Sequence, residues 1–343
     1  MELTTRYLGL DLQSPLVMSS SPLTMELDNF KKLEDEKIGA IVMHSIYEEQ
    51  VKLDEEAEDF YFHLGAESFQ EAVTYVPKPH EGTNALDHYT NLISKAKQSI
   101  KIPIIASINA FSMEGWKNYA KQCEDAGASA LELNIYFFSR NVEIPAERIE
   151  EEYVSILNQV KSAVEIPVSI KVSPFFTNFG NLAKNLSDHD VDGLVLFNRF
   201  YQPNLQIKSL KMSRKLTESI PHQIHQQTLW IGLLYGSIDV DFAATGGIHS
   251  SPDVIRVLMA GADTTMVCST ILNHGIGYFK TLHKDMVSWM ELNGYPSVSS
   301  LRGILSSKSV KKESQFLEAH YIPLNKDSSF YRGSIFPRPE MFQ

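Results

Sequence analysis

Two segments carry the residue types with the clearest chemical use. Ala244-Thr245-Gly246-Gly247-Ile248 closes a short apolar run just before a helical pattern that opens at Ser251, and Val267-Cys268-Ser269-Thr270 closes the next run. A Gly-Gly pair between a run and a helix start lets backbone N–H groups come close to an anion, and helix N-termini favour phosphate. Gly-Gly alone also fits an ordinary turn; the Ser-Thr pair at the end of the following run makes a phosphate site the stronger reading. Lys171 is the second anchor, inside the otherwise apolar run Val168-Ser169-Ile170-Lys171-Val172. A buried lysine is costly unless paired. Either Lys171 snorkels outward between helices, or its cation stands against an electron-rich heterocycle. The ends of the other runs offer Ser19, Ser20 and Ser21, then His44 and Ser45, then Ser107 and Asn109, then Asn134, Tyr136 and Ser139, and finally Ser173, Asn198 and Arg199. Small hydroxyls and amides of this kind suit a planar, hydrogen-bonding ligand better than a metal. His44 has no second histidine or carboxylate at ligand spacing, so it reads either as a hydrogen-bonded core histidine or as a member of the site.

These residues need a scaffold that brings run ends together. Eight short, β-rich apolar runs recur at Ser14–Ser20, Ile38–Ser45, Ile102–Asn109, Ser129–Ile135, Ile166–Val172, Asp192–Asn198, Asp241–Thr245 and Asp263–Cys268. Several are apolar on both faces, as strands covered by helices must be. Between them lie helical patterns such as Met113–Ala126 and Ala146–Val164, with apolar positions three and four apart. Alternating strands and helices predict an α/β fold, a (β/α)8 TIM barrel, whose active sites form at the C-terminal ends of the strands. Two segments, 46–101 and 199–240, are too long for a simple βα unit and both follow a strand's C-terminal end, so they are expected to wall or cover the site. A final helix is expected over Gly275–Asn293, a short one over Ser297–Leu305, and a peripheral tail over 322–343. Residues 1–343 are read as one domain.

Composition narrows the function classes. The 343 residues carry 31 Lys and Arg against 42 Asp and Glu, a formal charge of −11 with no basic run, which argues against nucleic-acid binding. The two cysteines, Cys123 and Cys268, are too few for a disulfide framework, a Cys-ligated zinc site or an iron–sulfur cluster. No stretch approaches 18 uninterrupted apolar residues, and Met1–Leu12 lacks the pattern of a secretory signal. The expectation is a cytoplasmic protein without membrane contact or metal.

At the residues singled out above, the chain resembles the dihydroorotate dehydrogenase family, in its class 1, FMN-containing branch, from about Leu8 to about Asn273. The lysine strand is the close match, Pro167-Val168-Ser169-Ile170-Lys171-Val172-Ser173-Pro174. Ala128-Ser129-Ala130-Leu131-Glu132-Leu133-Asn134-Ile135 and Thr245-Gly246-Gly247-Ile248 are further matches, Ser14–Ser21 a loose one, and Gly261-Ala262 leads to Cys268-Ser269 where the family has Gly-Thr. The resemblance implies FMN held by Ser19, Ser20, Ser45, Asn109, Lys171, Gly246, Gly247, Cys268 and Ser269. It implies a substrate, dihydroorotate, facing Asn134 and Asn198, with Ser139 where the family has a further substrate-binding Asn. The run Leu196–Pro203 is similar to that of a divergent group of dihydroorotate dehydrogenase-like proteins.

The departures from the family pattern concern the proton. Phe137 stands where the family places its Cys or Ser base, Met43-His44-Ser45 lacks the family's lysine, and Arg199 replaces a serine. Oxidation of dihydroorotate needs a hydride acceptor and a base for the adjacent proton. Tyr136, His44 and Tyr47 are the candidate stand-ins, and Arg199 either lowers the pKa of a nearby tyrosine or clamps a carboxylate. Three readings follow: an FMN oxidoreductase on dihydroorotate, a flavoprotein reductase with another substrate, and a non-catalytic barrel. The chain has neither cluster cysteines nor a dinucleotide Gly-x-Gly-x-x-Gly after a strand, so use of NADH would need a separate electron-transfer protein. Fumarate or a quinone are the other acceptors, and family analogy suggests a homodimer.

Overall fold

The structure is a computed structural model that describes residues 1–54, 84–136, 141–199, 204–213 and 218–310. Eight parallel strands close into a barrel: β1 (Leu16–Met18), β2 (Ala40–Tyr47), β3 (Ile104–Asn109), β4 (Ala130–Asn134), β5 (Val168–Val172), β6 (Gly193–Leu196), β7 (Asp241–Thr245) and β8 (Thr264–Val267), with β8 pairing back onto β1. Seven of the predicted runs contain one of these strands, and β2 overruns the end of its run, Ser45, by two residues. Pro103 and Pro167 sit just outside β3 and β5, where a missing N–H costs nothing, and their carbonyls accept from Ile41 and Leu131 of the neighbouring strands.

The helices follow in register: α1 (Leu27–Asp35), α2 (Ala85–Ser99), α3 (Met113–Asp125), α4 (Ala146–Lys161), α5 (Phe179–Asp188), α6 (Ile224–Leu234), α7 (Ser251–Ala260) and α8 (Ser269–His274). Each buries one stripe on the sheet; for α5 that stripe is Phe179, Leu182, Ala183 and Leu186. α7 starts on a reciprocal cap between Ser250 and Asp253 and stops at Gly261, whose φ of +126° an L side chain rarely adopts. Two of these helices revise the expected insertions. Segment 46–101 contains α2 and segment 199–240 contains α6, the regular barrel helices after β2 and β6. What remains of the second segment includes a two-stranded hairpin, Asn204–Gln206 with Lys211–Ser213. The final helix α9 spans Tyr278–Leu292 and a short one Val298–Leu301. The tail 322–343 lies outside the described residues.

The barrel interior is layered. A hairpin of Thr5–Tyr7 and Leu10–Leu12, not anticipated from the sequence, plugs its N-terminal end with Tyr7, Leu8 and Leu12. Above the plug lie Val17, Ala40, Val42, Ile105, Ala130, Val195, Ala243 and Met266, all buried. Because strand side chains alternate with a period of two, the next inward positions are Ser107 on β3, Glu132 on β4 and Ser169 on β5, and the ones above those are Asn109, Asn134 and Lys171. The interior therefore turns from apolar to polar toward the C-terminal ends of the strands. Among the described residues no helix is long and apolar enough to cross a membrane.

Candidate functional site

The polar layer is continuous across four strands. β2 carries a bulge between Val42 and Ser45, after which Ser45 pairs with Ser107, and Ser107 in turn pairs with Glu132. The extra residue rotates Ser45 into the interior. Its Oγ lies 2.8 Å from the Ser107 Oγ and 3.4 Å from the Ser20 Oγ. The Ser107 hydroxyl donates to Glu132 Oε1 at 3.2 Å, and the Lys171 ammonium donates to the same oxygen at 3.4 Å. One layer up, the Asn134 amide donates to Ser45 Oγ at 3.3 Å, while its Oδ1 accepts from the Asn198 amide at 2.6 Å. The Asn109 amide donates to the Asn134 carbonyl at 2.8 Å. Ser20, Ser45, Asn109, Asn134, Lys171 and Asn198 thus form one hydrogen-bonded group at the mouth of the barrel.

The phosphate-type residues form the other side. Gly246 and Gly247 have φ of +87° and +76°. Their loop is held by Thr245, whose carbonyl accepts from the Gln227 amide of α6 at 2.7 Å, and by Thr270, whose hydroxyl donates to the Ile248 carbonyl at 2.6 Å. Ser19 donates its N–H to Val267, and the Cys268 thiol faces the Ser20 carbonyl at 3.7 Å. Ser269 Oγ accepts from the Ser219 N–H at 3.2 Å, which ties segment 199–240 to the end of β8. Burial pushes the Cys268 thiol above its ordinary pKa, against the pull of the Lys171 and Arg199 cations. Arg199 Nη2 donates to the Glu218 carbonyl at 2.6 Å, and burial lowers its pKa from the ordinary value.

The proton-acceptor candidates are spread apart. His44 is the residue at the β2 bulge, and its Nδ1 lies 3.2 Å from the Thr24 carbonyl, which can only accept, so Nδ1 carries the proton. Its ring meets Tyr89 edge-on at 4.9 Å, and burial lowers its pKa, which favours the neutral imidazole. No hydrogen bond joins His44 to the Ser45 group among the described residues. Tyr136 and Tyr47 are at the rim, 39% and 46% exposed. Ser139 and Phe137 lie outside the described residues.

The sequence reading passed over Glu132. A carboxylate in the apolar run Ala-Leu-Glu-Leu is the same kind of signal as the lysine in β5, and it pairs with that lysine. Glu48 was also missed. It is buried, and its carboxylate accepts from the Phe111 and Ser112 N–H groups at 2.8 Å each and from the Ser112 hydroxyl at 2.6 Å.

The residues present fit a planar, electron-rich cofactor with a phosphate. Lys171 is 8% exposed inside the barrel mouth, and among the described residues its one acceptor is Glu132, so N–H donors are left for a ligand above it. Asn amides line the same opening, and Gly246 and Gly247 stand on the phosphate side. No group of three or more His, Cys, Asp or Glu that could hold a metal occurs among the described residues.

Comparison with known proteins agrees with this arrangement. The catalytic subunit of dihydroorotate dehydrogenase B (NAD(+)) from Thermoplasma volcanium is 23% identical over 313 residues, covering 88% of this chain and 98% of the relative. The same subunit from Methanocaldococcus jannaschii is 28% identical over 219 residues, 60% of this chain and 69% of the relative. That of Bacillus cytotoxicus is 26% identical over 239 residues, 60% and 68% of the two chains. The family profile described as dihydroorotate dehydrogenase matches residues 2–290, the whole barrel from the N-terminal plug into α9, and on that match the chain belongs to the dihydroorotate dehydrogenase family.

Proposed function

We propose that this protein oxidises dihydroorotate to orotate, a step of pyrimidine biosynthesis, with FMN at the barrel mouth. The observation that carries the reading is the amide group of Asn134, Asn198 and Asn109, joined to Ser45 and level with Lys171, the register partner of Asn134. Carboxamides pair in plane with the N–H and C=O groups of a pyrimidinedione. When bound, FMN supplies the hydride acceptor. Lys171 would present its ammonium to that ring, where negative charge collects on reduction. Ser19, Ser20, Ser45, Cys268 and Ser269, with the Gly246-Gly247 backbone, hold the ring edge and the phosphate. The Asn134–Asn198 hydrogen bond fixes both amides, so the substrate meets a prearranged surface.

The proton half is assigned to a residue other than the family's Cys or Ser. Tyr136 follows Asn134 by two positions and stands at the rim. His44, neutral with its proton on Nδ1, keeps a lone pair on Nε2. Arg199 reaches toward the end of β8 and serves the anionic side of the site. The same reading includes, by analogy with the family, a homodimer, a cytoplasmic location and a separate electron-transfer protein.

Rapid mixing of the flavin-loaded protein with dihydroorotate under anaerobic conditions tests the proposal, because bleaching of the flavin reports the chemical step without any acceptor. Fast bleaching that slows at least about 100-fold in Tyr136→Phe or His44→Ala, the contribution of a positioned base, supports dihydroorotate with a relocated proton acceptor. Failure of dihydroorotate to bleach the flavin overturns it in favour of a different substrate on the same scaffold.

A further inference from the structure

Glu132 is fully buried in the barrel, yet only one of its carboxylate oxygens is used: Oε1 takes both the Ser107 hydroxyl and the Lys171 ammonium, and Oε2 has no partner. Burying a carboxylate is expensive, and replacing a buried ion pair by apolar residues is often neutral or stabilising. Stability therefore gives a weak reason for an acid here. The residue lies one layer below Lys171, with Ser169 as its register partner on β5 and Ser107 on β3. From that position it touches both the lysine and the hydroxyl pair that supports Asn134.

We infer that Glu132 is a positioning residue that holds the Lys171 ammonium beneath the cofactor and, by its own negative charge, limits how strongly that ammonium favours the reduced ring. The inference rests on the flavin reading of the preceding subsection. Its physical content is a sign. A cation near the ring stabilises added electrons, and an anion just behind the cation opposes it through the same low-dielectric interior. Removing the lysine charge and removing the glutamate charge must then move the flavin midpoint potential in opposite directions. A side chain that only filled space would not produce that opposition.

The experiment is a spectroelectrochemical titration of the flavin-loaded full chain in four forms: wild type, Glu132→Gln, Lys171→Met and the double variant. Gln keeps the shape and the acceptor oxygen for Ser107 but drops the charge. The expected result is a potential above wild type for Glu132→Gln, one below it for Lys171→Met, and a double variant above Lys171→Met alone. Should Glu132→Gln fail to fold, the comparison of the double variant with Lys171→Met still isolates the Glu132 charge, because both proteins lack the lysine and differ only at residue 132. Equal potentials in that pair, or an unchanged potential in Glu132→Gln while Lys171→Met falls, overturn the role of Glu132 and leave the flavin reading standing. A wild-type protein that neither carries nor takes up FMN overturns the flavin reading itself, and this inference with it.

Discussion

Gly247 is the position where a substitution aimed at the phosphate loop tests the fold instead. A Cβ built on Gly247 overlaps the backbone nitrogen of Ile224, the first residue of α6, and presses on the Gln223 carbonyl carbon and the Ile224 Cα at 3.1 Å. These are backbone atoms, so no side chain can swing away. Adopting φ of +76° with a side chain costs about 1–2 kcal/mol. Pushing the first turn of α6 aside costs about 1–3 kcal/mol as overpacking. The lower entropy of the unfolded alanine chain offsets about 0.4–1 kcal/mol. The net loss for Gly247→Ala is about 2–4 kcal/mol, a large part of the ~5–15 kcal/mol that holds a domain together. For a chain of this size that is a fall of about 3–6 °C in melting temperature. Gly246 is the control. Its φ is +87°, but a Cβ there meets only the Gln227 side-chain nitrogen, at 3.2 Å, a group that can rotate. Gly246→Ala should lose about 0–1.5 kcal/mol, the backbone cost less the same unfolded-chain offset. Calorimetry of both apoproteins side by side reads the difference. A Gly247→Ala protein that melts with Gly246→Ala, or within about 1 °C of wild type, would refute the packing of the loop on α6. Flavin loss in a Gly247 variant is evidence about phosphate binding only after that measurement.

Lys171→Met alone should destabilise by about 3–5 kcal/mol in urea unfolding, because it strands the buried Glu132 carboxylate, whereas Lys171→Met with Glu132→Gln should recover most of that loss; two losses that simply add would show that the pair is not coupled. Burial acts to raise the Glu48 pKa, but hydrogen bonds from Ser112 and Phe111 and the contact with Lys52 outweigh it and hold the carboxyl below its ordinary value. A depressed carboxylate adds stability that is complete above its unfolded pKa of about 4.3 and is lost as pH falls through the folded value. Glu48→Gln should therefore lose about 2 kcal/mol at pH 7, with the gap to wild type closing in melts below about pH 4. Desolvation raises both thiols, that of buried Cys123 strongly and that of half-buried Cys268 against two cations, so at neutral pH the native protein should react with a disulfide reagent far more slowly than the urea-unfolded chain; rapid native labelling of Cys268 would contradict the upward shift of its thiol.

The barrel was legible because its signal is local. Apolar runs of strand length, helical patterns between them and Pro at strand entries each sit within a few residues of one another, and each of the eight runs coincides with a barrel strand, β2 alone outrunning its run. Lys171 and the Gly-Gly loop were legible for a similar reason: a charge in an apolar run, and two glycines between a strand and a helix, are visible without any partner. The insertions were less so, since the long gaps after β2 and β6 also hide the regular helices α2 and α6.

What tertiary structure alone decided is which residues share a height and a face. Ser45, Ser107 and Glu132 come from residues 62 and 25 positions apart, and only the strand register puts them side by side. One extra residue in β2 sends Ser45 inward and leaves His44 against Thr24 and Tyr89, although the two are adjacent in sequence and equally polar. That Gly247 is also required by packing shows only when the first turn of α6, more than twenty residues earlier, is seen against it. Periodicity within a strand tells which side chains alternate. Stagger between strands, set by closing eight of them into one barrel, tells which ones meet.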